Sequence, residues 1–254
     1  MIGQKRLDSL QACVETLLAE KVPGDLIETG VAKGGACILM RAVLRVRKER
    51  SRRVICCDTY SAGQENNKRP RPAMAFVFRP LFSLVALATR VPVGAWHRRL
   101  YAILMKLQHS FPVDPASVTQ DTIDSFLFYV RSGARFLRPV VPGVGTSLEA
   151  VRSHFARLGL LDDQVVFLKG FFEDTLPDAP TEQLALLRLD GDLYASTRDA
   201  LVHLYPKLSP GAFCIVDDYY SFVECRRAID EYREAHNITA PLVQIDWASV
   251  YWRV

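Results

Sequence analysis

The sequence predicts an α/β fold in which a mainly parallel sheet is covered by helices on both faces. Three observations predict it. Runs of strand length alternate with amphipathic runs of helix length, a glycine-rich loop joins the first strand directly to a helix, and most of the strands end on an acid. With 254 residues, 49% hydrophobic and 24% charged, the chain suits one folded α/β domain and disfavours global disorder or a fibrous repeat.

The elements follow in order. Leu7, Leu10, Val14, Leu17 and Leu18 recur at helical spacing until Pro23-Gly24 ends the run. Residues 25–29 read as a short first strand whose last side chain of interest is Glu28. The loop 30–35 runs into a helix over 36–46, whose tail carries Arg45, Arg47 and Lys48 near the negative end of its dipole. Residues 53–58 form the second strand, ending on Asp58. Thr146 and Glu149 predict a capping box for a helix with Leu148, Val151, Phe155 and Leu158 on one face, and 164–168 is strand three. Strand four spans 184–190, a helix over 194–205 is stopped by Pro206, and strand five spans 212–217. A helix over 222–235 and two β-rich runs, 242–247 and 250–254, close the chain.

Between strands two and three lies a long insertion, 64–142, expected to be mostly helical. Residues 64–109 hold eight Lys and Arg against the single acid Glu65. Because the basic excess sits in one segment, nucleic acid is disfavoured as a partner. Residues 73–89 are apolar except for Arg79, but Arg79-Pro80 interrupts them and they fall short of the roughly 20 residues a spanning helix needs. Trp96, Arg98, Arg99 and Tyr101 beside Leu100, Ile103 and Leu104 leave open a lid, an oligomer interface, peripheral membrane contact through 73–106, or plain core packing. Residues 121–130, with Ile123, Phe126, Leu127 and Val130, read as a second inserted helix. A homo-oligomer is expected. The six cysteines show no CxxC spacing and no secretory leader is visible, so a cytoplasmic address with reduced thiols is expected.

In such a sheet ligands bind beyond the carboxyl ends of the strands. Glu28, Asp58, Asp190 and the pair Asp217-Asp218 stand there, with Asp192 two residues past Asp190. Helix capping by Asp explains one or two of these acids, and five or six poorly. Gly30, Gly34 and Gly35 are expected to let a ligand approach the backbone at a helix N-terminus, and an acid ending strand two suits a ribose. The G-x-G-x-x-G pattern of a pyrophosphate site is missing, so a nucleoside without phosphates is the better ligand, and S-adenosylmethionine fits. Asp190, Asp217 and Asp218 come from two strands expected to be neighbours, and converging carboxylates call for a hard cation. All-oxygen ligation favours Mg²⁺ over zinc.

Leu26-Ile-Glu-Thr-Gly-Val31 with Gly34-Gly35, Phe171-Phe-Glu-Asp-Thr-Leu-Pro177, Leu187-Arg-Leu-Asp-Gly-Asp-Leu-Tyr194 with Ser196-Thr197, Leu204-Tyr-Pro-Lys-Leu208 and Ile215-Val-Asp-Asp-Tyr219 together resemble the macrocin O-methyltransferase family. The resemblance covers roughly 20–62 and 145–254. It implies a Rossmann-like class I methyltransferase fold and Mg²⁺-dependent methylation of a sugar hydroxyl on a natural product by S-adenosylmethionine. It further implies that Asp190, Asp217 and Asp218 hold the metal, that Asp192 is the general base beside Asp190, and that Glu28, Thr29, Gly30, Gly34, Gly35, Asp58, Thr59 and Phe172 contact the cofactor. The chain departs from the family pattern at Ala32-Lys33, at Thr59-Tyr-Ser-Ala-Gly63 and through the length of 64–142. A catechol-type methyltransferase, a non-catalytic cofactor-binding member acting through the basic insertion, and an NAD-dependent oxidoreductase are the alternatives to be separated.

Overall fold

A computed structural model of the chain describes residues 2–60 and 146–254. The expectations for 64–142, including the apolar run 73–89 and the helix 121–130, lie outside the described residues. Helix α1 (Gln4–Ala19) leads into β1 (Asp25–Thr29), α2 (Gly35–Val46) and β2 (Val54–Asp58). After the undescribed stretch come α3 (Leu148–Arg157), β3 (Val165–Lys169), the short α4 (Phe172–Thr175), β4 (Leu184–Leu189) and α5 (Tyr194–Leu204). The chain ends with β5 (Leu208–Val216), α6 (Val223–Ala235), β6 (Val243–Gln244) and β7 (Val250–Arg253).

The seven strands are ordered β3-β2-β1-β4-β5-β7-β6. The first five run parallel, and β7 is antiparallel to both β5 and β6. From β1 the chain winds outward through β2 and β3, then returns to lay β4 on the other side of β1. The order therefore reverses between β1 and β4, which opens a crevice at their carboxyl ends. Burial explains why the central strands are apolar: every residue of β1 and β4 is buried, because helices cover both faces. Leu17, Leu44, Phe155, Leu201 and Ile229 carry the helices onto the sheet, each at most 1% exposed.

Several boundaries differ from expectation for local physical reasons. The cap of α3 is Ser147, whose side chain accepts from the Ala150 N–H at 3.1 Å, and not Thr146. Strand β5 begins at Leu208, four residues early, because Leu208 pairs with Leu184 and the irregular register between Leu184 and Leu186 absorbs Pro210-Gly211. The run 242–247 shrinks to two residues because Asp246 turns the chain: its Oδ1 accepts from the N–H groups of Ala248 and Ser249, both at 2.9 Å. All six cysteines are free and buried. Among the described residues no helix is long and apolar enough to cross a membrane.

Candidate active site

On the β1 and β2 side of the crevice, the acid at the β2 tip is bound to the glycine loop. Asp58 Oδ2 accepts from the N–H groups of Val31 (2.8 Å) and Ala32 (3.0 Å). Its Oδ1 accepts from Tyr60 N–H at 3.1 Å and from the Thr59 hydroxyl at 3.3 Å. One carboxylate thus fixes the loop after β1 and the turn after β2 together. Thr29 is buried, with its hydroxyl donating to the Arg188 carbonyl.

The glycines also serve the fold itself. Gly30, at φ +91°, packs directly under the Asp190 carbonyl, which any Cβ would overlap. Gly34, at φ +85°, would put a Cβ 3.0 Å from Val151 of α3. Their missing side chains therefore admit neighbouring protein: β4 against the β1 tip, and α3 against the start of α2. Gly35, the first residue of α2, has room around it. Phe172 is half-buried, and its ring stands 3.3 Å from where a Cβ on Gly191 would lie, which puts it beside the Asp190-Gly191-Asp192 turn.

Glu28, also expected at the cofactor, is 2% exposed, pairs with the Arg188 guanidinium, and accepts from the Cys37 thiol at 2.7 Å. Burial raises its pKa against the opposing pull of Arg188.

On the β4 and β5 side, acids gather. The ligand oxygens of Asp190, Asp192 and Asp218 lie within 4.8 Å of one another. Asp190 follows the last residue of β4 and Asp218 lies just beyond β5, adjacent strands whose tips the sheet brings together. Asp192 sits in the turn between them at φ +60°, a left-handed conformation that Asp tolerates better than most residues. Burial, then the nearby Asp217, pushes the Asp190 carboxyl up to about 7. Burial followed by Asp190, Asp217 and Asp192 drives Asp218 well above the carboxylate range. The Oδ2 of Asp218 is buried and finds no hydrogen-bond partner among the described residues. A buried carboxylate with one unsatisfied oxygen, grouped with two further acids, is the arrangement a hard cation relieves.

Asp217, the third acid expected at the metal, lies between two arginines in this structure. Arg6 of α1 pairs with its Oδ2 and Arg188 of β4 with its Oδ1. Burial alone would raise its pKa, but the two guanidiniums hold it below the ordinary value. The sequence reading missed both arginines. Arg188 left a signal, since a lone Arg within Leu184-Ala-Leu-Leu-Arg-Leu189 must be buried and therefore paired. It bridges Glu28, Asp190 (2.7 Å) and Asp217, the acids of three strand tips. Arg6 left none, because its partners are more than 200 positions away: Asp217 and, at 2.7 Å, Asp246.

Comparison with known proteins identifies relatives of the chain. The family model for macrocin O-methyltransferases matches residues 1–73 and 137–254. A Streptomyces olivaceus protein, 8-demethyl-8-(2,3-dimethoxy-alpha-L-rhamnosyl)-tetracenomycin-C 4'-O-methyltransferase, is 41% identical over 253 residues, covering 100% of this chain and 74% of its own. The mycinamicin III 3''-O-methyltransferase of Micromonospora griseorubida is 38% identical over 253 residues, 100% of this chain and 77% of its own. Among solved structures, the O-methyltransferase NovP superposes with a TM-score of 0.68 at 36% identity, covering 99% of this chain and 80% of that one. With the family model matched on both sides of the insertion, the chain belongs to the macrocin O-methyltransferase family and is an O-methyltransferase.

Proposed function

We propose that the chain transfers the methyl group of S-adenosylmethionine to a hydroxyl of a sugar carried by a natural product, assisted by Mg²⁺. The observation that carries the cation is the orphaned, buried Oδ2 of Asp218 within a cluster completed by Asp190 and Asp192. Relatives named for methylating rhamnosyl-tetracenomycin and mycinamicin support the sugar acceptor. The donor is supported by family membership and by a crevice at the β1–β4 reversal whose rim lacks a pyrophosphate loop.

Asp190, Asp217 and Asp218 would hold the ion, with Asp192 beside Asp190 and Asp218. When bound, it would balance the clustered carboxylates and lower the pKa of a neighbouring hydroxyl by several units. Asp192 is the base in this reading: exposed at the crevice, it takes the proton as the acceptor oxygen forms its bond to the methyl carbon and the carbon–sulfur bond breaks. The sulfonium leaves as a neutral thioether. The Gly30–Gly34 loop, held by Asp58, and Phe172 beside the acid turn would position the donor, and alignment of this kind is worth about 7–11 kcal/mol of barrier.

The test is methyl transfer from labelled S-adenosylmethionine to glycosylated and sugar-free acceptors, before and after chelation. Activity on the glycoside that disappears with chelator and returns with Mg²⁺ is expected. Transfer indifferent to chelation would remove the cation from the reading, and equal use of simple catechols would remove the sugar.

A further inference from the structure

The end of the sheet away from the crevice carries a different chemistry. Residues 45–53 read Arg45-Val-Arg-Lys-Glu-Arg-Ser-Arg-Arg53, six bases in nine positions against one acid. They join α2 to β2 at the amino ends of the strands, and Arg157 and Leu158 finish α3 on the same side, before β3. Arg45 ties the two helix ends together, because its guanidinium donates to the Gly159 carbonyl. Some of the bases are already engaged: Arg47 pairs with Glu15, Arg53 with Asp25, and Arg52 is buried 3.9 Å from Glu49. Lys48, Arg50 and Arg157 are exposed and form no ion pair among the described residues, and Asp162 is taken by Arg41. Complementing the helix dipoles accounts for Arg45 and Arg157 in the last turns, but that effect fades before Lys48 and Arg50. Within this basic group stand the two most exposed large apolar side chains among the described residues, Val46 at 77% and Leu158 at 60%. Side chains that protrude so far from helix ends suit a soft, flat apolar phase better than a partner protein, which needs a shaped contact.

We propose that the ends of α2 and α3, with Val46 and Leu158 at the centre and Arg45, Lys48, Arg50 and Arg157 around them, are a docking surface for an anionic lipid membrane. The bases lie over the headgroups, where each gains from the negative surface potential, and the two apolar side chains enter the interface. Neither contribution anchors a protein alone, and the patch supplies both within a few residues. The acids of the site stand at the opposite ends of the same strands, so a chain docked in this way keeps its crevice directed away from the lipid. The inference uses no residue of the cation reading and stands or falls apart from it.

Flotation of the full chain with vesicles of phosphatidylcholine, alone or mixed with phosphatidylglycerol, tests this. The chain should rise with the mixed vesicles, stay behind with phosphatidylcholine alone, and detach as salt is raised. Each base removed should weaken binding by roughly fivefold, so a chain carrying both Lys48→Gln and Arg50→Gln should lose roughly 25-fold while its methyl transfer in solution persists. Brominated phosphatidylglycerol should quench the emission of Val46→Trp more than that of the unsubstituted chain, as a side chain entering the interface requires. Failure to bind the mixed vesicles, or equal binding to both kinds, would overturn the proposal. Undiminished binding by the chain lacking Lys48 and Arg50 would also overturn it, by placing the contact among other bases. Each of these outcomes leaves the methyl-transfer reading as it stands.

Discussion

The two halves of the crevice use the same residue type to opposite ends. Beside β1 and β2, Asp58 is surrounded by backbone N–H groups, and all of its described partners are protein donors. Beside β4 and β5, Asp190, Asp192 and Asp218 face one another, and one buried oxygen of Asp218 has no partner among the described residues. An acid at a strand tip is therefore ambiguous until its neighbours are known. Among amides it organises a loop, and among other acids it is held in readiness for a cation or a proton.

Substitutions can break this contrast. Asp192→Asn should have the largest effect, lowering kcat by roughly 10²- to 10⁴-fold, the usual contribution of a positioned base, with donor affinity nearly unchanged. Calorimetry of S-adenosylhomocysteine binding beside steady-state rates checks it, and near-normal turnover would move the base elsewhere. Gly30→Ala comes next. At φ +91° and against the Asp190 carbonyl it should cost on the order of 3 kcal/mol or more and displace the acid turn, read as a large drop in melting temperature. A stable variant with unaltered activity would show that the β1–β4 contact is not needed to place Asp190.

Asp58→Ala should sharpen the comparison from the other side. Losing an acceptor for Val31 and Ala32 N–H should destabilise by about 1–3 kcal/mol and raise the KM for the donor more than it lowers kcat. A kcat collapse with constant KM would instead place Asp58 in the chemistry. The smallest effect belongs to Ser147→Ala, which removes the α3 cap at about 1 kcal/mol, with kcat and KM unchanged. Any loss of activity there beyond the loss of folded protein would tie α3 to the site.

Periodicity was enough to read the parallel core, because each strand and helix is specified by residues close in sequence. Leu26-Ile27 and Leu186-Leu187 mark buried strands wherever they sit in the sheet. The acids of the site were legible by type and position for the same reason: a strand tip is a local feature. Less legible were elements that depend on distant pairing, such as the start of β5, which Leu184 extends through Pro210, and β6, which Asp246 cuts short.

The sequence by itself determined the alternating architecture, the family, and the placing of Asp58, Asp190, Asp192, Asp217 and Asp218 at strand tips. Only the tertiary structure decided what those carboxylates meet: amides for Asp58, two arginines for Asp217, and other acids for Asp190, Asp192 and Asp218. The reason is electrostatic. A carboxylate's state depends on charges and dipoles within a few ångströms, and in a crossover fold those come from segments such as Arg6 that are remote along the chain.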